Sequence, residues 1–241
     1  MDKENRNAAI TITITIMILA SLGSFKRSNI QNYFENRHFT KKAEQIEKKN
    51  VSFLNNLDKS DQMIGTDLNN NLIRDDIDAF IKTNLRDKAA IEVATVYSHH
   101  VEYTIAAYNK NVSETNRQKV KGTLEVIQSI EDSIDHVAKM NRKYAKNLSQ
   151  ERPYAIDDFI LLRQTLVKHK NKIFINNPRK TLAYEYLLLE YPPKPLKPIN
   201  KLNEEDYKAR INKILATLIY CEEVSQEIQE KAIKNQIKDK P

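Results

Sequence analysis

At 241 residues the chain can bury one substantial core or two small ones. Three glycines, no tryptophan and long runs without Gly or Pro exclude a sheet protein with many tight turns and favour an all-α protein. The formal charge of +7 is uneven: Lys26, Arg27, Arg37, Lys41, Lys42, Lys48 and Lys49 face only Glu35, Glu44 and Glu47, a net +4 within one short stretch. That distribution speaks against the uniformly basic surface of a nucleic-acid binder. The single cysteine, Cys221, excludes an intramolecular disulfide and reads as a small core residue.

The N-terminal segment 1–25 is hydrophobic. Ala8 to Leu22 is apolar apart from Thr11, Thr13, Thr15 and Ser21, and no charge occurs from Asn7 to Phe25. One reading is a secretory signal, with Lys3 and Arg6 before it and small residues Ser21 and Gly23 ahead of a cleavage point. The other is a transmembrane anchor, since 19 uncharged residues approach the roughly 20 needed to cross hydrocarbon. No cysteine stands directly after the segment, so lipoprotein anchoring has no support.

Residues 26–59 form a basic juxtamembrane helical segment. Phe39, Ala43, Ile46, Phe53, Leu54 and Leu57 supply an interrupted apolar pattern around Glu47, Lys48 and Lys49, which reads as a helix with a mostly solvated face.

The stretch Asp67 to Asp78, DLNNNLIRDDID, carries the most readable chemistry. Asp67, Asn69, Asn71, Asp75 and Asp78 occupy places one, three, five, nine and twelve of an EF-hand-like loop, with the backbone carbonyl of Ile73 at place seven. Calcium is a hard cation that takes six to eight oxygens, so oxygens on alternate residues of a tight loop suit it. Two places depart from the pattern. Leu72 stands where glycine normally allows the sharp turn, and Asp78 is shorter than the usual bidentate Glu. The competing reading is an Asx-rich turn that caps a helix starting near Asp75 or Asp76, with Asp75, Asp76 and Asp78 against the positive end of its dipole.

The segment IGTDLNNNLIRDDIDAFI resembles the G-x-D-x-N-x-N-G-x-R-D-D-[VI]-[ED]-x-[FYW]-I stretch of a group of exported bacterial proteins. Their loop is itself similar to those of dockerins and thrombospondin type 3 repeats. Gly65, Asp67, Asn69, Asn71, Arg74, Asp75, Asp76, Ile77, Asp78 and Ile81 stand at matching places, and Leu72 is the departure. A weaker echo is NNPRKTLAYEYLLLEY, Asn176 to Tyr191, similar to an N-T-P-x-R-x-x-A-Y stretch of the same group. The resemblance implies an exported helical protein with one calcium-type loop, and it brings no activity with it.

Residues 60–191 read as a helical domain holding that loop. Ile77, Phe80 and Ile81 give one short apolar face. Ile91, Ala94, Tyr97, Val101, Ile105 and Tyr108 recur every three or four residues, an amphipathic helix. Asn111 to Glu114 reads as turn and cap, and a second stripe runs from Val120 through Ile127, Ile130 and Ile134 to Leu148, with Gly122 a modest interruption. Arg152 and Pro153 end it, Ile156 to Val167 gives a further apolar face, and Pro178 opens a helix to Glu190. Residues 192–202 form a proline-rich connector. Within 203–241, a C-terminal helix and tail, Asn203 with Asp206 marks the start and Ile211, Ile214, Leu218, Cys221, Val224 and Ile228 the apolar stripe.

The histidines add little at this level. Adjacent residues on a helix diverge by about a hundred degrees, so His99 and His100 do not present a same-face pair for zinc. His136 and His169 read as solvated. No nucleophile elbow or Gly-rich phosphate loop occurs, so no small-molecule substrate is indicated and the chain reads as non-enzymatic.

Two functional classes follow. One is a protein of the cell envelope, inner-membrane anchored or periplasmic and exported, that binds calcium and contacts a protein partner. The other is a cytoplasm-facing membrane-anchored adaptor whose basic stretch binds anionic lipid or nucleic acid. The positive residues after the hydrophobic segment favour the second topology. The calcium-type loop and the resemblance favour the first, and the balance lies with export.

Overall fold

The computed structural model describes residues 40–41, 43–48, 52–58, 65–108, 113–139, 155–192 and 203–238. The hydrophobic segment 1–25, the break at Arg152 and Pro153, and residues 193–202 of the proline-rich connector lie outside them. Among the described residues every regular element is a helix: α1 (Asp75–Asn84), α2 (Lys88–Tyr108), α3 (Glu114–Ala138), α4 (Ala155–Leu162), α5 (Lys170–Phe174), α6 (Pro178–Glu190) and α7 (Glu204–Lys238). Shorter helical stretches occupy 43–48 and 52–55. The all-helical expectation therefore holds for this part of the chain.

The helix starts follow local chemistry. Ser113 Oγ accepts from the Asn116 N–H, Asn177 Oδ1 from Lys180 at 2.9 Å, and Asn203 Oδ1 from Asp206 at 2.7 Å. Each satisfies an amide that the first helical turn leaves without a partner. Pro178 stands at the start of α6, where its missing N–H costs nothing. The start of α2 relies on a partner remote in sequence: Asp158 Oδ2 accepts both the Arg86 and Asp87 amides at 2.7 Å, while Asp87 Oδ1 takes the Ala90 N–H at 3.0 Å.

Helix α2 is the axis of the bundle, with α1, α3, α4, α6 and α7 all packed against it. This broadens its buried surface beyond the expected stripe: Val93, Val96, Ser98 and Glu102 are buried along with Ala94, Tyr97, Val101 and Ile105. Helix α7 lies along α2 and α3, and its Cys221 and Ile228 join the core that contains Ile73, Ile77 and Phe174. A bidentate pair from Arg210 of α7 to Asp132 of α3 reinforces that contact. Within the 43–58 region Ile46, Leu54 and Leu57 are buried in the same core, so its apolar pattern is used in packing.

Between α4 and α5 the chain widens into a π-helical turn, Arg163–Val167, in which Lys168 N–H reaches back five residues to the Arg163 carbonyl at 3.0 Å. Gln164, Thr165 and Leu166 of this turn are buried. His136 corrects the solvated expectation: it is buried on α3. His169 is half-buried, its Nε2 3.8 Å from a Glu47 oxygen.

Ile130 is fully buried where α3 meets the rest of the core, whereas Leu189 on α6 is 79% exposed. Truncating Ile130 to alanine is expected to cost about 2–5 kcal/mol by creating a cavity, and truncating Leu189 less than about 0.5 kcal/mol. Urea denaturation of the two variants checks the contrast.

Candidate metal centre

The 67–78 loop is built from its own polar groups. Asp67 Oδ1 accepts the Asn71 N–H at 3.2 Å and Oδ2 the Leu72 N–H at 2.8 Å. Asn69 Oδ1 accepts from Asn71 N at 3.0 Å, and Asn71 Oδ1 from Ile73 N at 2.8 Å. The loop closes through Asp75, whose carboxylate receives the Leu68 N–H at 3.2 Å and whose own N–H reaches the Thr66 carbonyl at 2.8 Å. Helix α1 begins there, with Asp75, Asp76 and Asp78 in its first turn.

Asp78 is where the loop converges. Its Oδ2 accepts Asn69 Nδ2 at 2.9 Å and Asn71 Nδ2 at 3.0 Å, with Lys82 Nζ at 3.4 Å. Places three, five and twelve therefore meet at one point. Place one lies close by: burial raises the Asp67 pKa, and the nearby charges of Asp75 and Asp78 raise it further. The three carboxylates repel one another, an arrangement that a cation relieves. The donor set is all oxygen, as a hard cation requires. In the resting geometry the two Asn side chains turn their amide nitrogens toward Asp78, and a half-turn about their terminal torsions exchanges these for oxygens. No group of three or more His, Cys, Asp or Glu side chains stands gathered for a metal among the described residues. The only backbone ligand place, Ile73, is fully buried.

Leu72 makes the turn without glycine. Its φ is +62°, and that of Asn70 is +54°, so both occupy the left-handed region. Asn tolerates it; a leucine there is strained by of order 1 kcal/mol.

What the loop motif did not reveal is how it is fastened. Arg74, at place eight, is fully buried. It forms a bidentate pair with Asp76, Nε to Oδ1 at 2.9 Å and Nη2 to Oδ2 at 2.7 Å, and its Nη1 donates to the Ile173 carbonyl at the end of α5. Behind it, Glu102 of α2 lies with Oε1 3.8 Å from Arg74 Nη1 and Oε2 3.3 Å from Lys180 Nζ of α6. Asp76 Oδ2 also receives the Asp58 N–H at 2.9 Å, and Asp58 Oδ2 the Thr66 N–H at 2.8 Å. Asn176 Nδ2 donates to the Asp58 carbonyl. The loop segment and the Asn176–Tyr191 segment, separate in sequence, thus meet through Asp58, Arg74, Glu102 and Lys180.

Gly65 belongs to this arrangement. Its φ is +81°, and a Cβ there would lie 2.5 Å from Arg74 Cδ and 2.9 Å from Asp58 Oδ2. Alanine at position 65 is expected to displace Arg74 and destabilise by more than about 1 kcal/mol.

The sites expected to be plain are less so. His99 Nδ1 and His100 Nδ1 stand 3.3 Å apart despite diverging Cα–Cβ directions, because the rings rotate toward each other. Cys221 is buried and its thiol is pushed up to about 12, which fits an inert core residue. No family model, no curated protein and no solved structure matches the chain.

Burial pushes the Glu102 carboxyl up from 4.5 to about 7, against the opposing pull of Lys180 and Arg74, while burial also lowers the Lys180 pKa. Both shifts favour the neutral forms. For Glu102 the folded state holds its proton more tightly than the unfolded chain. The corresponding stability is full below about pH 4.5 and is lost as pH rises through about 7. Glu102→Gln, which cannot ionise, should therefore gain stability relative to the wild type as pH rises from about 5 to about 8. Parallel stability curves for the two proteins over that range would contradict it.

Proposed function

We propose that this chain is a non-enzymatic helical protein of the cell envelope, anchored in or exported across the inner membrane, whose fold is tightened by calcium in the 67–78 loop and which acts by contact with a protein partner there. The observation that carries the ion-binding reading is the meeting of Asn69, Asn71 and Asp78 within 2.9–3.0 Å around a left-handed Leu72. Side-chain oxygens of Asp67, Asn69, Asn71, Asp75 and Asp78, with the Ile73 carbonyl, would hold the ion. Bound calcium would neutralise three carboxylates that now repel one another. Arg74 would transmit the tightening, since it binds Asp76 beside two of those carboxylates and reaches α2, α5 and the α6 side of the core.

The membrane part of the reading is supported by the uncharged stretch Asn7 to Phe25. Among the described residues no helix is long and apolar enough to cross a membrane. The resemblance of the loop segment to exported bacterial proteins supports the outward direction. The opposing observation is the basic excess after the apolar stretch, which favours the cytoplasm-facing adaptor.

Millimolar calcium is expected to raise the melting temperature of the full chain, because a ligand that binds only the folded state stabilises it by mass action. Asp67→Ala should abolish the shift, and magnesium should give a smaller one because it demands a tighter octahedral shell. Leu72→Gly relieves of order 1 kcal/mol of strain that the turn already carries without an ion, so it should raise the ion-free melting temperature, and calorimetry should show tighter calcium binding only as far as the bound loop bends further at residue 72. An unmoved transition in the wild type would leave the loop a helix cap.

Topology is tested separately. Protease added to intact spheroplasts should digest residues 60–241. Protection of that region until lysis would transfer the assignment to the cytoplasm-facing adaptor.

A further inference from the structure

We propose that the outer face of α6 is a dimer interface, on which a second copy of this chain docks antiparallel about a two-fold axis close to Tyr186. Lys180, Ala183 and Leu187 turn one side of α6 into the core. On the opposite side Leu182 is 56%, Tyr186 54% and Leu189 79% exposed. They are spaced four and three residues apart, so they form one stripe along the helix. Three large apolar side chains in a row are a patch rather than scattered surface residues, and a four-three row is the pattern by which helices pair.

A second copy is the occupant because the face complements itself in shape. At its N-terminal end lies a cavity of about 410 Å³, lined by Ile175, Pro178, Thr181, Leu182 and Glu185 among others. At its C-terminal end Leu189 projects into solvent. Leu182 and Leu189 are seven residues apart, about 20° around the helix and about 10 Å along it. A two-fold axis between residues 185 and 186 exchanges the two ends. Each Leu189 then meets the cavity beside Leu182 of the other copy, and the contact is made twice.

The charges follow the same exchange. Arg179 and Glu190 are both exposed and stand about 20° apart around the helix, on one flank of the stripe. An antiparallel pair sets that flank against its own counterpart with the ends reversed, so Arg179 faces Glu190 twice. A parallel pair would set Arg179 against Arg179 and Glu190 against Glu190. The midpoint of Arg179 and Glu190 differs from that of Leu182 and Leu189 by about 1.5 Å along the helix, so one axis serves both. Within its own chain Glu190 approaches Arg117 only to 3.8 Å and accepts from the Tyr108 hydroxyl at 3.2 Å, which leaves it room for a second cation. Glu185, on the other flank, falls near the axis and repels its own copy. That repulsion and the small area of one helix face make the dimer weak, with Kd on the order of 100 µM.

The test uses the full chain in detergent micelles that accommodate the hydrophobic segment. Sedimentation against concentration should show a monomer–dimer equilibrium, unchanged by Asp67→Ala. Leu189→Asp should abolish it, and because Leu189 contributes little to the fold the loss reads the interface. Arg179→Glu should weaken the dimer about tenfold, since the pair is made twice, and adding Glu190→Arg should restore it. Glu185→Gln should tighten it. Mild oxidation of a mixture of Leu182→Cys and Leu189→Cys chains should give a mixed disulfide in excess of what Leu182→Cys gives alone, because two copies of position 182 lie about 10 Å apart along the pair. The native Cys221 is buried and does not compete. A chain still monomeric at about 1 mM, association that survives Leu189→Asp, a double charge reversal that fails to restore the dimer, or Leu182→Cys chains that join one another as readily as the mixture, would each overturn the proposal.

Discussion

The buried guanidinium of Arg74 is the constraint on which the rest of this structure depends. A fully buried charge is costly unless it is paired and hydrogen-bonded, and Arg74 meets both conditions only if four separate pieces of chain are in place. Asp76 supplies the fork from within α1, Ile173 a carbonyl from the end of α5, and Glu102 a carboxylate from the middle of α2. Lys180 then has to enter from α6 to share Glu102. Removing one member leaves the others buried without their counter-charge, so the arrangement is costly to disassemble piecemeal. This makes the loop part of the core rather than an appendage. It also explains why Gly65 faces Arg74, since any side chain there would occupy the space of the guanidinium stem.

The same cluster is not fully satisfied. Glu102 Oε1 has no hydrogen-bond partner, and Arg74 Nη1 stays 3.8 Å away. Only the other Glu102 oxygen, Oε2, accepts a hydrogen bond, from Lys180 Nζ at 3.3 Å, and burial favours the protonated form. The core thus contains one group whose ionisation falls near neutrality, linked through one side chain to a loop of three carboxylates. Tightening of the loop and protonation of the core act on the same guanidinium from its two ends.

Much of the fold was legible in the sequence, because helix chemistry is local. The Asn177–Pro178 start, the Asn203–Asp206 start and the apolar repeats of α1, α3 and α7 follow from capping and periodicity alone. The α2 stripe was right in kind and too narrow. A three-to-four residue repeat identifies one buried face, and it does not reveal that Ser98 and Glu102 are also covered by helices arriving from elsewhere. His136 was misread for the same reason: the acidic residues around it suggest a solvated face, yet Arg210 from α7 pairs with Asp132 and covers that side. The contact between the His99 and His100 rings was not readable from backbone direction, which leaves ring rotation out. In the loop, the oxygen-bearing places were readable, and their meeting at Asp78 accords with the spacing. The Arg74 cluster was not readable, since its partners lie 28 and 106 residues further along the chain.

The capping and ion-binding readings of residues 67–78 use one set of atoms. Asp67 and Asp75 already spend oxygens on the amides of Asn71, Leu72 and Leu68, as a turn that stabilises a helix start would. Those bonds also hold the carboxylates within reach of one another, as a cation would need. What distinguishes the two is the orientation of Asn69 and Asn71. With nitrogen toward Asp78 they neutralise it by hydrogen bonds, and with oxygen inward they add two ligands beside it. Turning the oxygens inward would give up the bonds they accept from the Asn71 and Ile73 amides, so an ion would have to offset the loss of two of the loop's own hydrogen bonds, while the strain at Leu72 is already present without it. A glycine at position 72 would stabilise both states alike unless the bound form bends further at that residue. The effect of that substitution on affinity, separated from its effect on stability, accordingly measures how far the loop closes.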